Sequence, residues 1–357
     1  MVLAMVPASS LRLLAALFDM LSKLAAPAAA RNFPAREVTL VMPYPLSGPA
    51  DIRDTSRMTK TYKLIATHAP PAISDTLGRI VQQAIRYDSR HPVRLERLPG
   101  AATTRGARRV AQAPADGHTL LLGSNETMVL APHFLGAVGY QPLRHFELAA
   151  PLAHMPFLLM ASTGLPFKTL PRLIAYVKVR PGDINYGSSG EGSTGHLAGE
   201  LLRRAAGLDM VHVSYNGGMA ALNSVARGQT SLMFAALPLA LPYVNNEHVR
   251  AFAIASPQRN RLLPALPTLA EAGIEGADIA AWFGVFAPNG VAPGTLRWLS
   301  DRIGDAVNTP STREMLLAQG LEPVRGPLSA FATRIYAENE RWGPVLKAAR
   351  IGARDAS

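Results

Sequence analysis

Residues 187–196, Gly-Ser-Ser-Gly-Glu-Gly-Ser-Thr-Gly-His, constrain the fold of this chain more than any other stretch. A β-type run, Ile184 to Tyr186, enters the segment, and Leu197, Ala198, Leu201, Leu202, Ala205 and Ala206 leave it at helical spacing. That order reads as strand, glycine turn, helix. A helix start carries backbone N–H groups without internal partners and a partial positive charge. Glycines let the backbone close on a ligand, and Ser188, Ser189, Ser193 and Thr194 add hydroxyls, so the turn reads as an anion seat. No lysine or arginine lies in it, which leaves the work to neutral donors. Three readings compete. One is a capped helix start with Ser193 or Thr194 as N-cap. Another is a dinucleotide fingerprint, since Gly190 to Gly195 fits G-x-G-x-x-G. That motif wants an acidic residue ending the next strand, whereas the run Met210 to Tyr215 passes into Asn216-Gly217-Gly218 and Asp209 precedes it. The third is a small carboxylate held by amides and hydroxyls. A hydrolase elbow would need glycine at 191, where Glu191 stands.

The rest of the chain repeats the strand–helix alternation. Strands are expected at 37–42, 93–95, 119–122, 157–160, 210–215, 231–234 and 250–255, and helices from Asp75, over 106–113, 170–179 and 220–226. The end of the chain reads as helices over 293–307, 311–318 and 327–349. Such alternation argues for parallel sheet with right-handed crossovers, in which ligands bind beyond the carboxyl ends of the strands. The turn Gly123-Ser124-Asn125-Glu126-Thr127 lies at one such end and the 187–196 turn at another. Two α/β sets suggest two lobes with a ligand between them.

With 357 residues, two ordinary domains fit. Hydrophobic residues make up 48% and aromatics 6%, so the core should be aliphatic. The absence of cysteine excludes disulfides, thiolate chemistry and cysteine-ligated metals. The nine histidines show no H-x-x-x-H or H-E-x-x-H pairing, so no metal site or metal cofactor is expected. The net charge of +11 comes from scattered basic residues without an aromatic-interleaved or zinc-finger pattern; it reads as a solvated surface that draws anions, not a nucleic-acid face. Residues 1–35 read as a targeting segment, with Arg12, an apolar run Leu13 to Phe18 and Ala28-Ala29-Ala30, although Asp19 and Lys23 interrupt it; the competing reading is an amphipathic helix.

The motifs, taken in order, resemble the Bug-type receptors, the periplasmic solute-binding component of tripartite tricarboxylate transporters. Pro43-Tyr44-Pro45, Asp75-Thr76-Leu77-Gly78-Arg79, the block Ala115 to Ser124, Pro132-His133, the glycine turn through His196-Leu197-Ala198-Gly199-Glu200, Val213 to Gly218, Leu266 to Gly273 and Trp282 to Pro288 carry the likeness over residues 36–350. The resemblance implies a bilobed α/β periplasmic-binding-protein fold of the type II kind, two domains joined by two crossover segments with a ligand cleft between. It places domain 1 at 36–157 plus 254–357 and domain 2 at 158–253, with 46–70 as an insertion near the cleft. It implies a periplasmic, monomeric, non-enzymatic receptor without a cofactor, handing a small organic acid to transporter membrane subunits. The ligand-binding residues it implies are Ala72, Ser74, Asp75, Ser124, Asn125, Thr127, Ser188, Ser189, Gly192, Ser193, Thr194, His196 and Ala235. Asp75 or Asp51 takes the place of the family aspartate, with Asp75 preferred. Glu126 stands where a small residue is usual, and Ala235 where the family often has aspartate. Trp282 and Phe283 are expected in core packing. A degenerate receptor with a sensing role and an NAD-dependent enzyme are the alternatives.

Overall fold

In the computed structural model the described residues are 33–44, 73–87, 91–324 and 326–348. Most of the expected targeting segment, the 46–70 insertion, Asp51 and Ala72 lie outside them.

The first half begins with β1 (Val38–Met42), α1 (Ile73–Arg86), β2 (Val93–Arg97), α2 (Thr104–Ala111) and β3 (Thr119–Ser124). The three strands pair in parallel, with Val38 opposite Val93 and Leu40 opposite Leu120. β1 and β3 read as near-continuous apolar runs because helices cover both faces of such a sheet. On α1 the spacing of Leu77, Ile80, Val81, Ala84 and Ile85 predicts one apolar face, and all five are buried, together with Ser74, Thr76 and Gly78.

The second half holds α5 (Leu170–Val179), β5 (Asn185–Ser188), α6 (Thr194–Ala206), β6 (Val211–Ser214), α7 (Gly218–Ala226), β7 (Leu232–Ala236), α8 (Leu237–Asn245) and β8 (Val249–Ile254). Here β5 lies between β6 and β7, parallel to both. Between the halves, a π-helical turn (Glu126–Leu130), α3 (Ala131–Leu135) and α4 (Pro142–His145) follow β3. The chain closes with β9 (Ala280–Pro288), α9 (Pro293–Asn308), α10 (Pro310–Ala318), β10 (Glu322–Pro323) and α11 (Leu328–Ala348).

One strand joins everything. β4 (Phe146–Ser162) runs for 17 residues. Its first part pairs antiparallel with β9, from Phe146–Pro288 to Pro156–Ala280, and with β10. Its last part, from Phe157 or Leu158 onward, pairs antiparallel with β7 and β8. The sheet order is β2-β1-β3-β9-β4-β7-β5-β6, with β8 and β10 also on β4. The return crossing, 255–279, is tied back by Ala255 N–H to the Phe157 carbonyl and Ile279 N–H to the Ala255 carbonyl. The fold is thus bilobed α/β with two crossings.

Two expectations need correction. The sheet is mixed, because β4, β8 and β9 run antiparallel to their neighbours. Strand β4 also begins well before residue 157. Pro151 and Pro156 mask it in the sequence, since proline supplies no ladder donor and usually marks a strand edge or bulge. The ladder absorbs them through register shifts between Leu148 and Ala150 and between Pro151 and Ala153. Helix α8 was likewise hidden by Pro238 and Pro242. Trp282 and Phe283 are buried core residues, and the Trp282 indole N–H donates to Glu338 at 2.7 Å. No helix among the described residues is long and apolar enough to cross a membrane.

Candidate ligand-binding site

The parallel strands of the first half bring their carboxyl ends to one edge. Tyr44 follows β1, a turn at 100–103 follows β2, Ser124 ends β3, and α1 starts at the same edge. The 100–103 turn is strained: Ala101, Ala102 and Thr103 have φ of 49°, 48° and 70°. Left-handed non-glycine residues cost of order 1 kcal/mol or more each, and persist where surrounding structure over-determines them. Here the Thr104 hydroxyl donates to the Ala101 carbonyl at 2.7 Å, and the Thr103 and Thr127 hydroxyls meet at 2.8 Å. Pro99-Gly100 marks a turn in the sequence, but nothing in Ala101-Ala102-Thr103 announces a positive φ.

Thr127 is fully buried and committed to protein partners: Thr103, Ser124 at 3.5 Å, and Tyr140, whose hydroxyl donates to the Thr127 carbonyl at 2.6 Å. Burial pushes the Tyr44 phenol well above its ordinary pKa; hydrogen bonding to Ser124 opposes the rise and the Glu126 carboxylate adds to it. In the geometry observed, the Tyr44 hydroxyl is buried without a well-formed partner among the described residues. Ser74 is buried in the first turn of α1, while Asp75 sits in an ion pair with Arg97 at 2.7 Å.

Across from this edge stands the 187–196 turn, and it is closed on itself. Ser193 is the N-cap of α6, its hydroxyl accepting from His196 N–H at 3.3 Å. The hydroxyls of Ser188 and Ser193 both donate to the Gly190 carbonyl, at 2.9 and 2.7 Å. Gly190 N–H returns to Ser188 at 3.2 Å, and Gly192 N–H donates to His196 Nδ1 at 3.1 Å. Gly192 has a φ of +72°, and a Cβ there would stand 2.8 Å from the Phe134 ring, so glycine is required twice over. Ser189 is exposed, its carbonyl accepting from Gly217 N–H.

Beneath the turn, the imidazoles of His196 and His212 stack at 3.6 Å with 5° between their planes. Burial, with His212 nearby, holds the His196 pKa down to about 3. Burial lowers His212 as well, against the pull of Glu191 and Glu200. Because the Ser188 hydrogen goes to Gly190, His212 Nε2 is the donor in its 2.8 Å bond to Ser188. His196 Nδ1 is an acceptor, so that ring is neutral, and burial favours the neutral form of His212. His196 therefore shapes the turn and does not reach outward, and His212 is the partner the sequence reading missed.

The tip of α6 carries a side chain from the opposite edge. Glu126 Oε1 accepts from Thr194 N–H at 3.3 Å and from the Thr194 hydroxyl at 3.2 Å. Asn125 Nδ2 donates to that hydroxyl oxygen at 3.2 Å. The structure thus brings Asn125 and Thr194 together. It engages Ser188, Gly192, Ser193 and His196 within the 187–196 turn, and it ties Thr127 to Thr103 and Ser124. Ala235 is 1% exposed and packs with Leu158, Met160 and Leu237, in an apolar cluster. Among the described residues no group of three or more His, Asp or Glu could hold a metal.

Comparison with known proteins gives this geometry a family. The model of the tripartite tricarboxylate transporter family receptor matches residues 77–351. Protein BugT of Bordetella pertussis is 27% identical over 325 residues, covering 91% of this chain and 92% of BugT. Among solved structures, R. palustris Rpa4515 with adipate is 29% identical with a TM-score of 0.74, covering 90% of this chain and 99% of that one. MatC from Rhodopseudomonas palustris with bound malate is 29% identical with a TM-score of 0.70, covering 88% and 100%. The periplasmic binding protein BugD is 25% identical with a TM-score of 0.69, covering 90% and 100%. Half-sheets joined through β4, strand ends facing a capped helix tip, and a match along most of the chain lead to one statement: this protein belongs to the tripartite tricarboxylate transporter receptor family.

Proposed function

We propose that the protein is a non-catalytic periplasmic receptor that takes a small organic acid between its two lobes and delivers it to the membrane subunits of a tripartite tricarboxylate transporter. In this reading 36–157 plus 254–357 form one lobe and 158–253 the other, and the receptor works as a monomer. The observation that carries it is the meeting of the Ser124–Thr127 turn with the α6 tip within hydrogen-bond distance, two strand-end turns of opposite halves converging on one place. Polar groups at helix starts hold carboxylates in such settings without a formal cation. The adipate and malate carried by structural relatives support the ligand class. The dinucleotide alternative has little to stand on: Gly190 and Gly192 direct their N–H groups inward, and β6 ends at Ser214 without an acidic residue. A sensing role draws support from the occupied α6 tip.

Titration calorimetry of refolded, ligand-free protein against mono- and dicarboxylates of three to eight carbons tests the reading. Heat of binding from at least one acid is expected. A folded sample that binds none overturns transport of acids and leaves the sensing role.

A further inference from the structure

The α6 tip holds a carboxylate already. Glu126 places one oxygen against both the Thr194 N–H and the Thr194 hydroxyl, filling the seat that a ligand's carboxylate would take at a helix start. Next to it, Asn125 is 1% exposed, and its amide is aimed at the tip through the bond from Nδ2 to Thr194. Its Oδ1 has no partner among the described residues, although a buried acceptor of this kind is nearly always satisfied. An orphaned acceptor and a carboxylate side by side call for a hydrogen-bond donor. A second anion brought to the same place meets like charge and finds the tip amide taken.

We propose that Glu126 sets the ligand class of this receptor: it supplies the carboxylate at the α6 tip from the protein itself, so the cleft selects a small acid whose far end carries an ammonium group in place of a second carboxylate. The proposal rests on the receptor reading above. The ammonium donates to Asn125 Oδ1 and to the Glu126 carboxylate, charge-assisted bonds of the stronger kind. The acid end is left to the α1 start of the same edge, where Ser74 lies. Asn125 positions the donor and Glu126 discriminates.

Matched pairs of equal length test this, one member with two carboxylates and the other with a carboxylate and an amine: malonate with β-alanine, succinate with 4-aminobutanoate, adipate with 6-aminohexanoate. Each is titrated by calorimetry into the wild type, Glu126→Gln and Glu126→Ala, all three checked for folding by circular dichroism and melting. For the pair of the right length, the wild type should prefer the amino acid by about tenfold or more. Glu126→Ala should lose that preference and gain affinity for the diacid by about tenfold, with Glu126→Gln between. A wild type that prefers the diacid, with a preference unchanged in both variants, overturns the proposal while leaving the receptor reading intact. Folded wild type and variants that bind no member of any pair, in a protein that also fails the wider carboxylate panel, overturn both. If Glu126→Ala alone fails to fold, the isosteric Glu126→Gln decides: an unaltered preference there counts against the proposal.

Discussion

The turn after β3 and the turn after β5 look alike in sequence, each a glycine followed by serine and a hydroxyl-rich stretch at a strand's carboxyl end. They are built in opposite ways. The second satisfies itself: Ser188, Gly190, Gly192, Ser193 and His196 bond to one another. The first satisfies little locally. Thr127 leans on Thr103, and Asn125 and Glu126 reach across to Thr194. One turn is a preformed surface, the other a set of side chains that reads whatever stands opposite. In the proposed receptor, recognition would fall to the turn with fewer internal bonds.

Substitutions can break or sharpen that contrast, and the greatest effect is expected under the second turn. A Cβ on Gly199 would collide with the Tyr186 ring, which is 1% exposed and anchored through its hydroxyl to Glu200 at 2.7 Å. Gly199→Ala should destabilise the protein by about 3 kcal/mol, read in urea unfolding, because α6 must lift from β5. A near-neutral result would mean that the preformed turn does not depend on its seat.

Acidity comes next. His196 keeps a folded pKa of about 3 against an ordinary 6.5, so the unfolded chain takes up the proton first. Its stabilising effect is complete above pH 6.5 and fades as pH falls towards 3. Between pH 7 and pH 5 His196 should account for about 2 kcal/mol of lost stability, so the wild type should lose about that much more than His196→Asn. Equal pH slopes in the two proteins would show that the stacked pair is not neutral.

Ser188→Ala removes the partner of Gly190 and His212 and should cost about 2 kcal/mol, with faster hydrogen exchange at Gly190. Thr127→Val, in the looser turn, should cost only about 1 kcal/mol. A reversed order of these two would overthrow the contrast between a self-sufficient turn and a dependent one.

How much of this the residues announce depends on the reach of each interaction. The Ser193 cap, the apolar face of α1 and most element positions follow from neighbours within a turn or two, and they are legible. The dinucleotide-like spacing of Gly190 to Gly195 is equally visible, yet the amides of Gly190 and Gly192 turn inward, which only their bonds to Ser188 and His196 reveal. Glu126 and Thr194 meet 68 positions apart, so the sequence could flag the odd carboxylate without saying what it touches. The hydroxyls of Ser188 and Ser193 read as ligand donors because a hydroxyl in a turn looks the same whether it faces out or serves its own carbonyl. Strand β4 escaped notice in its first part because Pro151 and Pro156 speak against a strand locally, while β9 and β10 hold it in place from far along the chain.

That strand has a consequence for how the molecule comes apart. Two lobes linked by flexible tethers would melt one after the other. Here both ladders terminate on the same 17 residues, with β9 and β10 gripping one end and β7 and β8 the other. Losing either ladder frays the support of its counterpart, so the calorimetric and van't Hoff enthalpies should coincide in a single cooperative peak despite the size of the chain.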